Sequence, residues 1–331
     1  LQGDWSSDVC SSDLDALPEK EQEELFEYNE PKIYFVDIET EITDGFPSAE
    51  EAENRILSIS VVYENKIILT GLEPMSEAMQ KRIITNTNEY FKDHDVEYEF
   101  KYLQFNDEFD MVYKFFNEMV PKMPMITGWN FINYDWVYLV NRARKLQKTV
   151  NGNVIKINPN VASPTKKLDK AWMSNEEMPR HRMVFDYMQM YAALDTSIKI
   201  KESNSLDFVS SKILGVTKIK HRYEENPNTD ILGKDVVGSL KELYEQDFET
   251  FMYYNCVDSV LVQRIHEKMN YISIVYAVSS LAKIRISDVF NTNAGALASL
   301  AITEGVLRGR FREQENIILF KDRSEEHTSE L

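Results

Sequence analysis

The sequence predicts an α/β fold in which a mixed sheet is flanked by helices. Three observations carry this reading. Ile33-Tyr34-Phe35-Val36-Asp37-Ile38-Glu39-Thr40 is filled with β-branched and aromatic residues and fits no helical period, so it reads as a strand. Arg55–Tyr63 and Lys66–Thr70 follow as two strands of a hairpin around Glu64-Asn65. Strand, helix, strand and helix then alternate, and that order builds a mixed sheet with helices against it. Ligands of such sheets collect at strand ends.

Taken in order, the first strand is apolar on both faces up to Val36, as expected of a strand buried in the middle of a sheet. Asp44 to Ser48 is a turn cluster. After the hairpin comes a polar helix or loop, then a strand over Val96–Phe105. Asp107–Val120 places Phe109, Val112, Phe115, Phe116 and Met119 at helical spacing, with Asn106 or Asp107 as cap. Met125–Trp129 is a short buried strand broken at Gly128, and a helix runs from near Asn133 to Leu146. Thr149–Arg182 is irregular and rich in Asn, Pro and Lys, which predicts long loops or a hairpin. Met183–Tyr191 and Ser205–Leu214 read as short helical or mixed pieces. Ser239–Met269 is the longest helical pattern, and Tyr271–Ile284 continues it as another helix.

Composition bounds the function. The 331 residues suffice for one large or two modest domains. Tyr271–Ile284 is the most apolar run, and it is too short and too interrupted by serine to span a bilayer; no secretory signal is read either. The stretch from Gly3 to Leu14 reads as a translated sequencing adapter, and Arg323 to Leu331 as the same adapter on its other strand. Setting both aside leaves Cys256 as the one cysteine, which excludes an internal disulfide and fits a reducing compartment. The formal charge of −18 then becomes about −13, a poor basis for non-specific duplex binding. Charge is unevenly spread: Arg142 to Arg222 holds 16 Lys and Arg against 7 Asp and Glu, net +9. Such a basic middle suits a phosphate backbone, or simply a solvated surface.

Three groups of acids stand out. Asp37 and Glu39 alternate onto one face at the end of the first strand. Side by side there, they call for a cation such as a divalent metal, or else mark a strand tip running into solvent. Asp135 lies in the first turn of a helix just past a strand end, where the helix dipole favours an anion, and for this residue alone ordinary capping is the better account. Tyr254 and Asp258 are one turn apart on a stripe with Phe251, Leu261 and Ile265, so this acid needs a partner. No basic partner is evident within these motifs.

In that order, Asp-x-Glu, the segment Asn130 to Asp135, and Tyr-x-x-x-Asp resemble the three motifs of tyrosine-type DEDD exonucleases. Tyr253 stands where histidine-type relatives carry their histidine. Phe35 to Glu39 with Asp44 to Pro47, Thr127 to Asn130, and Tyr254 to Val260 are similar to the proofreading domain of T-even-type phage family-B DNA polymerases. Ser205-Leu206-Asp207 and Tyr271–Phe290 have counterparts there, and Asn133-Tyr134 before Asp135 departs from the more usual Phe.

The resemblance implies a ribonuclease H-like fold and a 3′→5′ exonuclease. Asp37, Glu39, Asp135 and Asp258 would bind two Mg²⁺ or Mn²⁺ ions, and Tyr254 would orient the attacking water. The expected substrate is a single-stranded or frayed 3′ DNA end. Phe46 beside the catalytic strand suits base stacking, and Asn130, Lys166, Lys167, Arg180 and Arg182 complete the expected DNA-binding set. The implied organisation is an adapter scar over 1–14, a remnant of an N-terminal domain over 15–31, the exonuclease domain over 32–270, a truncated start of a polymerase domain over 271–322, and a second scar over 323–331. The palm motifs of a polymerase are absent, so the polymerase body would be missing from this chain. A monomer in the cytoplasm of an infected bacterium, neither secreted nor membrane-bound, is the expected setting. A stand-alone exonuclease and a non-catalytic DNA-binding or interaction module are the alternatives.

Overall fold

A computed structural model describes residues 32–42, 47–92, 96–161, 179, 182–194, 203–219 and 234–282. Both adapter-like ends, residues 15–31, Phe46, Lys166, Lys167, Arg180 and the chain beyond 282 lie outside the described residues.

The first strand, β1, runs Ile33–Thr40, as its composition predicts. It pairs antiparallel with β2 (Ile56–Tyr63), which pairs antiparallel with β3 (Lys66–Gly71) through a tight turn at Glu64 (φ 51°). The helix α1 (Glu77–Tyr90), capped by the Ser76 hydroxyl, crosses over to β4 (Glu99–Gln104), which therefore lies parallel to β3. Next come α2 (Glu108–Lys114), β5 (Met125–Gly128) and α3 (Asp135–Lys145). The predicted helix over Asp107–Val120 is present, with Asp107 as cap, but its second half winds through a π turn at Phe115–Met119 and a 3₁₀ turn at Val120–Lys122. Pro121 denies the helix a regular continuation.

A two-stranded ribbon, β6 (Gln147–Val150) and β7 (Asn153–Lys156), follows around Asn151-Gly152, both at positive φ. A sixth strand of the main sheet, β8 (Met183–Asp186), is followed directly by α4 (Tyr187–Leu194). The sequence shows only a short helical or mixed piece here, because four residues are too few to show a period. The remaining helices are α5 (Leu206–Leu214), α6 (Lys234–Gln246), α7 (Phe248–Met269) and α8 (Tyr271–Ala282). The long helical pattern ending at Met269 is thus two helices. Asp247 breaks it, leaving helical geometry and accepting from Thr250 N at 3.2 Å to start α7.

The sheet order is β4-β3-β2-β1-β5-β8, so β1 is central. Both its faces are covered. Ile33 and Phe35 join Val257, Leu261 and Ile265 of α7 in one core, while Val36 and Ile38 join Phe116 of the π turn and Trp136 and Leu139 of α3 in a second. Each such side chain contributes about 1.5–3 kcal/mol on burial. This two-sided burial fixes the register of β1, since a one-residue slip would exchange its faces. Asp37 and Glu39 then necessarily point to the α7 side.

Candidate active site

The site forms where β1 outruns its parallel neighbour. β5 registers with β1 only over Ile33–Phe35, so later amides of β1 on that side have no strand to bond. The amide of Ile38 instead donates to Asp135 Oδ1 at 3.2 Å. Asp135, buried in the first turn of α3, is thereby seated against β1 at the level of the two strand acids. Gly128, the last residue of β5, permits this convergence. A Cβ there would lie 2.3 Å from Val36 O and 2.9 Å from the Phe131 ring.

On the opposite layer, α7 brings Asp258 to the strand acids. Asp37, Glu39 and Asp258 each offer an oxygen, all within 4.8 Å of one another. Asp258 is buried and the other two are half-buried, so little water screens them. Burial, then Asp258, pushes the Asp37 carboxyl up to about 7. Burial, then Asp37 and Asp258, raises Glu39 well above its ordinary range, and burial followed by Asp37 does the same to Asp135. An all-oxygen donor set whose members repel one another suits a hard divalent cation, which would relieve that repulsion.

The motifs themselves offer no basic partner, and the structure brings one from outside them, Lys218. Its ammonium pairs with Asp258 Oδ2 and lies 4.5 Å from the centre of the Tyr254 ring. Burial opposes its charge, but Asp258 and Tyr254 outweigh burial and hold it well above the lysine range. Lys218 reaches this position because Gly215, at φ 76°, turns the chain after α5, and Asp207 Oδ1 accepts from the Lys218 amide at 2.7 Å. In sequence, it was one cation among sixteen in the basic middle, and nothing local distinguished it. Burial, then Asp258, raises the Tyr254 hydroxyl, which therefore stays a neutral donor.

Two further polar groups were not foreseen. Asn255 Nδ2 donates to Asp37 Oδ2 at 2.7 Å, and the Ser58 hydroxyl lies 2.9 Å from Asn255 Oδ1. Asp186, at the end of β8, accepts from Gln189 N at the start of α4 and from Ile132 N in the loop before α3, both at 3.2 Å. Burial raises its carboxyl to about 6. Of the expected DNA-contacting residues, Asn130 sits in that loop at φ 59°, its side chain accepting from Asn133 Nδ2 at 3.1 Å. Arg182 spends two donors on Val120 O and Pro121 O, each at 2.6 Å, which ties the entry of β8 to the turn before β5.

A mixed sheet with acids gathered from its central strand and two flanking helices defines an exonuclease-type domain. The chain belongs to the family of family-B DNA polymerase exonuclease domains, whose sequence pattern matches residues 5–209. It is 23% identical to the DNA-directed DNA polymerase of Escherichia phage RB69, over 88% of this chain and 31% of that protein. It is 27% identical to the DNA polymerase catalytic subunit of Epstein-Barr virus (strain B95-8), over 75% of this chain and 22% of the relative. Identity to the catalytic subunit of Alcelaphine herpesvirus 1 (strain C500) is 31%, over 43% of this chain and 12% of the relative. The chain thus spans less than a third of the length of these relatives. Exonuclease domains of this family use divalent metals, and Asp37, Glu39 and Asp258 form a group able to hold one. No described helix is long and apolar enough to cross a membrane.

Proposed function

We propose that the chain is the proofreading part of a family-B replicative DNA polymerase, a 3′→5′ exonuclease that releases nucleoside 5′-monophosphates from a single-stranded or frayed DNA end. The observation that carries this reading is the approach of Asp37, Glu39 and Asp258 to within 4.8 Å on the two facing layers β1 and α7.

Asp37, Glu39 and Asp258 would hold one Mg²⁺ or Mn²⁺ ion, and Asp135, with Asp37 between, a second. Bound ions would supply an activated water and charge stabilisation of the phosphodiester oxygens. The chain's own residues have separate tasks. Tyr254 remains protonated and can orient a water by donating to it, but it cannot act as a base. Lys218 balances Asp258 and fixes the Tyr254 ring by lying over its face. No side chain needs to form a covalent bond with the substrate. Because the acids are buried or half-buried at the end of β1, a paired terminus would have to open before its last phosphodiester could reach them.

Phe46, Asn130, Lys166, Lys167, Arg180 and Arg182 remain the proposed DNA contacts, with a stack on Phe46 worth about 1–3 kcal/mol. In the intact protein the partner of residues 32–270 would be a polymerase body that begins near 271. The setting that fits is a monomer in the cytoplasm of an infected bacterium. The test is shortening of a 5′-labelled single-stranded oligonucleotide in Mg²⁺ or Mn²⁺. A ladder that loses one nucleotide at a time is expected from the wild type and not from the Asp37→Ala, Glu39→Ala double variant. Equal degradation by both refutes the assignment.

A further inference from the structure

Asn255 and Ser58 are both polar and both 0% exposed. Buried polar side chains remain in cores at a cost unless their hydrogen bonds serve a neighbour. Here the one Ser58 hydroxyl proton is shared between two acceptors. Ser58, on β2, lies directly across from Glu39, and its hydroxyl is 2.8 Å from Thr70 O and 2.9 Å from Asn255 Oδ1. Asn255, on α7, passes the contact on by donating Nδ2 to Asp37 Oδ2 at 2.7 Å. A carboxylate has two oxygens and a free torsion about its last bond. With Oδ2 committed to Asn255, that torsion is fixed and Oδ1 is left for a cation shared with the neighbouring acids.

We propose that Ser58 and Asn255 are positioning residues that orient Asp37 for metal binding, with α7 supplying both a ligand, Asp258, and the amide that aims the ligand on β1. The amide's orientation follows from Asp37, whose carboxylate can only accept, and Ser58 steadies the Oδ1 end. Turned over, Asn255 would present Oδ1 to the Asp37 carboxylate, two acceptors face to face. Outer-shell partners of this kind typically change metal affinity about 10–100-fold when removed. Ser60, the next residue on the same face of β2, gives a matched control. It too is 0% exposed, yet its hydroxyl has no hydrogen-bond partner, so its removal breaks no such contact.

This inference rests on the proposed metal site, and the experiment separates the two. Binding of Mn²⁺ to the full chain, without DNA, is titrated by the electron paramagnetic resonance signal of the free ion. Exonuclease rate is followed in parallel against Mn²⁺ concentration. Asn255→Leu, branched at the same carbon but without a donor, is expected to weaken Mn²⁺ binding about 10–100-fold. Ser58→Ala should weaken it by a smaller factor in the same direction, whereas Ser58→Thr, which keeps the hydroxyl, and Ser60→Ala should bind as the wild type does. Wild-type Mn²⁺ affinity in a folded Asn255→Leu variant overturns the proposal. If that variant does not fold, equal affinities for Ser58→Ala and Ser58→Thr overturn it instead. Asp37→Ala marks the difference in failure. If it too binds Mn²⁺ like the wild type, the metal site itself is wrong; if it alone loses binding, only the positioning role is.

Discussion

Removing the charge of Asp37 should have opposite effects on the metal-free and metal-loaded protein. Within 4.8 Å, two unit charges repel by roughly 3.5 kcal/mol at an effective dielectric near 20. The apo protein relieves this by holding protons, and Asp37 is accordingly pushed up to about 7 by burial and Asp258. The sign follows from linkage. Between the ordinary carboxylate range near 4 and pH 7, the folded state binds more protons than the unfolded state, so stability falls as pH rises through that window. A shift of that size corresponds to roughly 4 kcal/mol, which belongs to the cluster as a whole because the carboxyls of Asp37 and Glu39 are raised together. The assay is a thermal melting series from pH 5 to pH 8, after chelation, at fixed ionic strength so that screening is not mistaken for binding. The wild type should lose stability across the series, and Asp37→Asn should lose clearly less. At pH 8, Mn²⁺ at 100 times its dissociation constant should return about 2.7 kcal/mol to the wild type. Asp37→Asn should regain far less. The same pH slope and the same metal response in both proteins would refute the shared site.

Other outcomes follow from separate contacts. Gly128→Ala forces a Cβ to within 2.3 Å of Val36 O; a loss of about 2 kcal/mol or more by denaturant melts is expected, with reduced exonuclease activity because β5 and β1 are pushed apart. Glu108→Ala should cost about 1–3 kcal/mol in denaturant melts, since it takes the acceptor away from the Ile56 amide and from the half-buried Arg142 guanidinium, both of which now donate to Glu108 at 2.7–2.8 Å. Purified chain should add no nucleotide to a primed template while still shortening single strands; extension above background would show that a polymerase site had been missed.

The sequence made β1 and its acids legible because buried strands and helix stripes leave strong local patterns. Asp37 and Glu39 share a face by period two, and Tyr254 and Asp258 share one by a single helical turn. The hairpin of β2 and β3, the strand β5 and the cap at Asp107 were readable for the same reason. Lys218 was not, because its place depends on a turn at Gly215 and on an ion pair with a residue 40 positions later. Nor was Asn255, which sits among apolar neighbours like many solvent-facing asparagines until the sheet is laid against it. β8 was hidden by its four-residue length, and Asp186 with it. Local period fixes where a side chain points, but not which distant group meets it.

That division has a physical consequence for how the site is assembled. Asp37 and Glu39 come from the sheet, whereas Tyr254, Asn255 and Asp258 come from a helix laid across it. Neither layer contains a site alone. The hydrophobic contacts of Phe35 with Val257 and Leu261 hold α7 in place, and this same docking forces three acids together. Apolar burial therefore works against electrostatic repulsion at one interface. Lys218 and Asn255 lessen that repulsion without abolishing it, which keeps the acids available to a cation while letting the apo chain fold. A fully neutralised cluster would be more stable but would have less to gain from a metal. The site is thus placed where the stability of the core can carry the strain of an incompletely balanced charge.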